Sequence, residues 1–414
     1  MYADMSITTN KIFYFMAALI LLVRPFCSIA QTVGSPLPTI NIGAALDSKH
    51  IAPLSSIASK IEYTTLGEGE IFLEGANKAL LFHEDKEFIY VAIQNPVSST
   101  GCYKFTKNGK FVSSFAHKGN RGDEFNSLMD ISVAEDTRNV AIRDMTKVIV
   151  YDINGNFITY IPVWDISNHT SIDHLNSNFN FLNGGKLLFS ARDSKNNDGY
   201  AVIYNLEGER IVRKKINGPL FAAKKELAVR IGTQYARQAF SHWNNQVKLI
   251  TQMEDIIYSL DDQMNMKPAY MLDFGKYRNS LKADWEENKV LISGVQFQEN
   301  SRFIMFRISL GVNNILPDQN GLDSRILTIV YDKSKQTTYA LKYHKGLAVS
   351  GFANDLDNGM PFRPMAMLGN KMYQFVDAAV FIAMASKTNS IRMKEIASKL
   401  TEESNPVLTV ITLK

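Results

Sequence analysis

The sequence predicts an all-β fold, a β-propeller. Two observations carry that reading: strand–turn–strand units recur along the chain, and their spacing is nearly constant. The clearest unit is VIVYDINGNFITYI (148–161), in which two runs of alternating character flank Asn154-Gly155. Asn-Gly tolerates positive φ at both centres of a type I′ turn, so a two-residue hairpin is expected there. CYKFTKNGKFVSSF (102–115) has the same form around Asn108-Gly109, and AVIYNLEGERIVRKKI (201–216) around Glu207-Gly208. DIIYSLDDQMNMKPAYMLDF (255–274) and LTIVYDKSKQTTYALKY (327–343) are looser copies, for which wider turns are expected.

The aromatic residues before these turns, Phe105, Tyr151, Tyr204, Tyr258 and Tyr331, lie 46, 53, 54 and 73 residues apart. A period near fifty with almost no helical pattern is what radial stacking produces. A small antiparallel sheet cannot bury both faces alone, so such sheets pack around an axis. A β-sandwich is the rival, but sandwiches seldom repeat a hairpin at this spacing. The long last interval contains NSLKADWEENKVL (279–291), read as an inserted surface helix.

Three segments fall outside the repeat. IFYFMAALILLV (12–23) is twelve apolar residues preceded by Lys11. That is short of the roughly twenty a membrane-spanning helix needs, and it suits the core of a secretory signal. Ser28 and Ala30 supply the small residues for cleavage after Ala30. Cys27 raises lipid attachment, but Arg24-Pro25-Phe26 stands where small residues would be required. The organisation expected is therefore a signal peptide over 1–30, a polar, Pro-containing lead-in over 31–59 and the propeller over 60–414, with no transmembrane segment in the mature chain. Near the end, IRMKEIASKL (391–400) spaces Ile391, Ile396 and Leu400 for a short helix, and NPVLTVITL (405–413) reads as a strand. Pairing that strand with the first or last blade would close the ring and protect an open sheet edge.

Composition excludes some partners. Lys+Arg total 45 against Asp+Glu 41 in 414 residues, and the charges are dispersed, so no basic arm for nucleic acid is present. Cleavage after Ala30 leaves Cys102 as the single thiol, so stability must come from core burial, not disulfides.

Several stretches resemble a known family. Asn108-Gly109-Lys110-Phe111 is followed by Lys118-Gly119-Asn120-Arg121-Gly122-Asp123-Glu124-Phe125. Further along come Glu254-Asp255-Ile256-Ile257-Tyr258, Lys267-Pro268-Ala269-Tyr270 and Asp273-Phe274-Gly275-Lys276. The series ends with Asn354-Asp355-Leu356-Asp357-Asn358-Gly359-Met360-Pro361-Phe362-Arg363-Pro364 and Asn405-Pro406-Val407-Leu408. In this order they resemble the six-bladed β-propeller family of exported Bacteroidetes proteins, similar in style to NHL-repeat propellers. The resemblance implies six four-stranded antiparallel blades and a place in the periplasm or at the surface of a Gram-negative cell. It implies no assigned activity. At Arg121, Gly122 and Asp123 the chain departs from the family's Gly, Pro and Gly.

No catalytic set is legible. The seven histidines include no zinc-protease pair, and His169 and His174 lie five apart in a polar loop. No nucleophile elbow, phosphate loop or dinucleotide fingerprint occurs. Asp152-Ile153-Asn154-Gly155-Asn156 lacks the distal bidentate Glu of a calcium loop and reads as a turn. Cys102 sits in an expected strand as a small core residue. No metal or cofactor is expected. Two clusters remain as candidate ligand contacts: Asn354, Asp355 and Asp357 with Arg363, whose oxygens and guanidinium suit a polar ligand, and Arg237, His242 and Trp243, which suit sugar stacking or a protein contact. The same Asp and Asn residues also cap turns. Arg121-Gly122-Asp123 reads as turn content, with no integrin-type binding expected. The function expected is a non-catalytic propeller that binds a protein or glycan through loops at one face. The alternative is a hydrolase or lyase acting on a carbohydrate or lactone, with residues gathered from separate blades at the channel mouth.

Overall fold

The computed structural model describes residues 36–67, 71, 73, 79–93, 101–144, 146–162, 173–193, 198–219, 238–251, 254–277, 290–310, 326–344 and 349–414. The expected signal peptide with Cys27 and Ala30, most of the expected helix at 279–291, His169 and Arg237 lie outside these residues. Val290 and Leu291, at the end of that expected helix, instead open a strand.

Six antiparallel sheets of four strands form a ring. Blade 1 is Ala79–Glu84, Phe88–Ile93, Gly101–Thr106 and Phe111–Phe115; blade 2 is Asp130–Val133, Val140–Arg143, Lys147–Tyr151 and Phe157–Pro162. Blade 3 is Asp173–Leu182, Lys186–Asp193, Asp198–Tyr204 and Arg210–Pro219; blade 4 is Gln238–Trp243, Gln246–Thr251, Ile256–Leu260 and Met266–Asp273. Blade 5 is Val290–Glu299, Phe303–Leu310, Ile326–Asp332 and Thr337–Ala340. Blade 6 takes Ala366–Leu368, Lys371–Val376 and Val407–Leu413 from the end of the chain and its outer strand, Ala58–Thr65, from the beginning. The first strand of each blade touches the first strand of the next, so six of them surround the axis.

The residues explain this packing. Strands buried on both sides carry apolar residues on both faces: in Phe303–Leu310, Phe303 and Met305 face blade 6 while Ile304, Phe306 and Ile308 face blade 4. Each of the six interfaces between blades holds its own apolar cluster. Cys102 is fully buried in one of them, between blades 1 and 2, as a reduced thiol.

The hairpin turns differ from expectation. Asn108, Asn154 and Glu207 do not adopt positive φ; only the following Gly109, Gly155 and Gly208 do. Gly155 N–H donates to the Asp152 carbonyl and Asp152 N–H to that of Asn156, which is a type I turn closed by a left-handed residue, not a type I′ turn. The same bonds recur at 106–110 and 205–209, and also at 261–265 with Met264 in the left-handed position, so the blade 4 turn is no wider than the others. These turns pack on the preceding blade: a Cβ on Gly109 would lie 1.8 Å from the Thr65 carbonyl in the outer strand of blade 6, and Gly67 N–H donates to the Gly109 carbonyl at 2.7 Å.

Within the lead-in, Thr39–Asn41 adds a parallel strand to the outer edge of blade 4, and helix α1 (Ile42–Asp47) buries Ile42 and Leu46 between blades 4 and 5. Lys342, almost fully buried, caps α1 by donating to the Leu46 carbonyl at 3.1 Å. Two helices, α2 (Ala378–Lys387) and α3 (Ile391–Ala397), are inserted between the second and third strands of blade 6. The sequence reading anticipates α3 and omits α2. No helix among the described residues is long and apolar enough to cross a membrane.

The turn geometry makes a comparison testable. Gly109→Ala meets both the left-handed φ and a backbone clash, whereas Gly208→Ala meets the φ alone, its nearest neighbour being Ile161 at 3.5 Å. We expect losses of about 3 kcal/mol and about 1 kcal/mol respectively in urea unfolding. Equal losses would contradict the packing role given to Gly109.

Candidate functional site

Because every blade alternates direction strand by strand, the ring has two chemically distinct ends. One carries the turns between first and second strands; the other carries the connections from each outer strand to the next blade's first strand. The two predicted clusters lie at opposite ends. His242 and Trp243 close the first strand of blade 4 at the turn end, while residues 354–363 lead into the first strand of blade 6 at the connection end.

At the connection end, Asn354, Asp355 and Asp357 are brought together, with their oxygens turned onto protein donors. Asp357 accepts from the Tyr63 hydroxyl at 3.0 Å, the Ser390 hydroxyl at 2.7 Å, the Asn354 side-chain amide at 2.6 Å and the Gly359 N–H at 3.1 Å. It thereby joins blade 6's outer strand, the connecting loop and the N-cap of α3, where Ser390 also accepts from Met393 N–H. Burial, followed by the Asp357 charge, pushes the Tyr63 phenol upward. Asp355 accepts from the Ser55 N–H at 2.8 Å and its hydroxyl at 2.5 Å. Burial pulls the Asp355 carboxyl upward, but the Ser55 bonds outweigh it and hold the group below the usual carboxylate range.

Arg363 behaves differently from its loop neighbours. Its N–H donates to Gln374 Oε1 at 3.0 Å, but its guanidinium meets no carboxylate among the described residues. Burial lowers it, and Arg307, in the second strand of blade 5, is lowered to about 10 by burial and then by the like charge of Arg363. Sequence reading missed Arg307; the only signal was a lone charge inside the apolar run FIMFRISL. It also missed Asp130, which opens the first strand of blade 2. Asp130 accepts from Ile131 N–H at 2.9 Å and, across to blade 3, from Phe179 N–H at 3.3 Å. Burial nonetheless pushes its carboxyl up to about 7, against those bonds and the charge of Arg143.

The turn end is a seam. Gly184 N–H donates to Asp136 at 2.8 Å between blades 3 and 2, and Asn183 bonds Asn245 between blades 3 and 4. Lys248 pairs with Glu299 at 3.0 Å between blades 4 and 5, Asn300 donates to the Gly369 carbonyl at 2.8 Å between blades 5 and 6, and Lys371 pairs with Glu84 between blades 6 and 1. Asn244 N–H reaches Glu135 at 3.1 Å, linking blade 4 to blade 2. His242 and Trp243 belong to this seam. Burial keeps the His242 ring below its ordinary range although Glu135 and Asp136 oppose it, and the Lys333 ammonium sits 5.4 Å over the Trp243 ring. Arg121 and Asp123 form an exposed ion pair, and the carbonyls of Arg121 and Gly122 accept from Lys147 Nζ, so the tripeptide sits in a turn held by blade 2. Among the described residues no group of three His, Cys, Asp or Glu side chains converges as a metal site would require.

A sequence model of the family described as "Domain of unknown function (DUF4934)" matches residues 37–412, and the chain belongs to that family. No curated protein matches it. Among solved structures, a protein described as exported from Bacteroides fragilis aligns with TM-score 0.59 at 16% identity, over 87% of this chain and 97% of its own. Virginiamycin B lyase from Staphylococcus aureus aligns with TM-score 0.41 at 8% identity, over 85% and 99%. A DUF4623 family protein from Bacteroides eggerthii gives 0.40 at 11%, over 86% and 76%. At these identities the first likeness supports the fold alone, and the other two carry no argument.

Two outcomes follow from the geometry. Asp357→Ala strands four donors, and we expect a loss of about 3 kcal/mol in urea unfolding, against about 1 kcal/mol for Asp355→Ala. Asp130 binds its proton more tightly when folded than at its ordinary value of 3.8. The folded state therefore holds more protons than the unfolded chain between about pH 4 and pH 7, and this group's contribution to stability falls as pH rises through that window. Asp130→Asn should flatten that part of the pH–stability curve; superimposable slopes for the two proteins would refute the assignment.

Proposed function

We propose that this chain is an exported, non-catalytic binding propeller that takes a protein or glycan ligand at its connection end. The observation that carries the reading is the difference between the two ends. At the turn end, side-chain ties join most neighbouring blades. At the connection end, Arg363 presents a guanidinium with no carboxylate partner among the described residues, on a loop that Asn354, Asp355 and Asp357 hold rigid. A rigid frame carrying a free polar group is the arrangement that lowers the ordering cost of binding. Export is supported by the apolar segment at 12–23, which has the length and flanks of a secretory signal core.

The face can be tested with a bulky maleimide label, because Cys102 is buried and will not react. Ile391→Cys, at a position 74% exposed on α3, marks the connection end, and Lys86→Cys marks the turn end. On an array of neutral and acidic glycans and in pull-down from envelope extract, labelling at 391 should abolish capture and labelling at 86 should preserve it. The opposite pattern would place the ligand at the turn end.

A further inference from the structure

The interface between blades 5 and 6 contains a polar layer inside an apolar core. On blade 5, Phe303, Met305 and Arg307 alternate onto the side facing blade 6, and Val330 and Thr328 share that side on the neighbouring strand. On blade 6, Met372, Gln374 and Val376 face back, beside Ile411, Thr409 and Val407. The apolar members of these series form one cluster. The polar members come in directly opposed pairs, Arg307 with Thr328 and Gln374 with Thr409.

This layer is short of partners. Thr328 and Thr409 are 2% and 1% exposed, and neither hydroxyl has a hydrogen-bond partner among the described residues. The buried Nε of Arg307 has none either. Arg363 joins the layer through its main-chain N–H bond to Gln374, and its charge acts on Arg307. Buried polar groups are almost always satisfied, and two half-buried like charges that meet no carboxylate among the described residues are unfavourable. What the layer lacks is a multidentate acceptor bearing negative charge. An oxyanion is that acceptor: its oxygens match the guanidinium fork and can take the two hydroxyl protons as well.

The geometry points to an oxyanion site between blades 5 and 6, formed by Arg307, Arg363, Thr328 and Thr409, for the carboxylate, sulfate or phosphate group of a ligand entering from the connection end. This rests on the binding reading above and specifies its chemistry. The two arginines supply charge and directional donors, the threonines complete the cradle, and the flanking Met305, Val330 and Val407 exclude water from it. A neutral sugar would leave both charges uncompensated, so the site selects acidic ligands.

The test uses the mature chain in a chloride buffer at constant ionic strength, titrated with sodium sulfate, sodium phosphate, galacturonate or neutral galactose and followed by calorimetry and thermal shift. A saturable response to at least one oxyanion and none to galactose is expected, and the arm with the tightest response identifies the group recognised. Arg363→Gln should weaken that response at least tenfold while leaving the far-UV spectrum unchanged. The double variant Thr328→Val with Thr409→Val keeps both charges and the core volume, and should weaken it several-fold. Response to none of the three anions, as expected if only water fills the layer, would overturn the inference. Equal affinity in wild-type and Arg363→Gln would do the same. If Arg363→Gln binds anions normally while labelling at 391 still blocks capture, the oxyanion site fails and the connection-end reading survives. If the variant loses anion binding but labelling at 391 is harmless, the site stands and the reading of the face fails.

Discussion

The pairing of Ala58–Thr65 with Val407–Leu413 is the constraint on which the ring depends. It joins the two ends of the chain in one sheet, with Thr65 opposite Val407 and Ala58 opposite Leu413. Without it, blade 6 would present an open edge and the core between blades 5 and 6 would lose Ala58, Ile61 and Tyr63. The pairing does more than close a circle. Tyr63, in the outer strand, reaches Asp357, and Thr65 abuts the Gly109 turn of blade 1. One strand therefore ties the connection loop on one side and the next blade on the other. Such contacts between distant parts of the sequence carry a loop-closure cost that only cooperative packing offsets.

The two ends of the ring solve different problems. At the turn end the first strands finish and short turns crowd together, so unpaired amides and charges from adjacent blades meet. Asp136, Asn183, Glu299 and Asn300 satisfy them across the joints. Glu299 shows how closely this seam is arranged: buried between Lys248 and Lys333, it places a carboxylate between two ammonium groups from different blades. Desolvation of such a buried charge offsets much of the attraction, so the pairs satisfy Glu299 more than they add net stability. The connection end has longer segments with their own small core, where Phe352, Met360 and Phe362 pack with Phe381 of α2 and Met393 of α3. The long insertion in blade 6 thus gives the loop a hydrophobic floor, and Asp357 fastens the loop to it.

What was legible in the sequence follows the physics of each element. The repeat was visible because a turn with one left-handed residue favours Gly at a fixed place, and because the aromatic before it fills the same interface each time. The turn type was not, since Asn-Gly suits both a type I′ turn and a type I turn with a following left-handed Gly; only the Asp152 and Asn156 bonds separate them. Met264 shows why the blade 4 turn looked irregular: the backbone keeps its form without the glycine that would have announced it. Helix α2 escaped because AAVFIAMASK is apolar on most sides, which short of three turns cannot be told from a buried strand. The acidic loop stood out in the sequence as a cluster, but its composition could not say whether its oxygens face outward or onto Tyr63, Ser55 and Ser390. Those partners are roughly 290, 300 and 33 positions away along the chain.

The polar layer between blades 5 and 6 was hidden for a related reason. Arg307 lies in a run whose every other described member is buried, and a reader of pattern alone treats such a residue as noise. In the fold it is the place where local and global preferences disagree: a strand built for a dry interface carries a charge, and so does the segment facing it. Sequences are otherwise consistent across levels, and a persistent local conflict marks either strain or use. Strain alone does not account for this one. An apolar residue at 307 or 363 would remove the repulsion and continue the surrounding core, and a carboxylate at 328 or 409 would neutralise it. The chain has neither; it sets two hydroxyls beside two guanidinium groups, the donor set that the proposed oxyanion would satisfy.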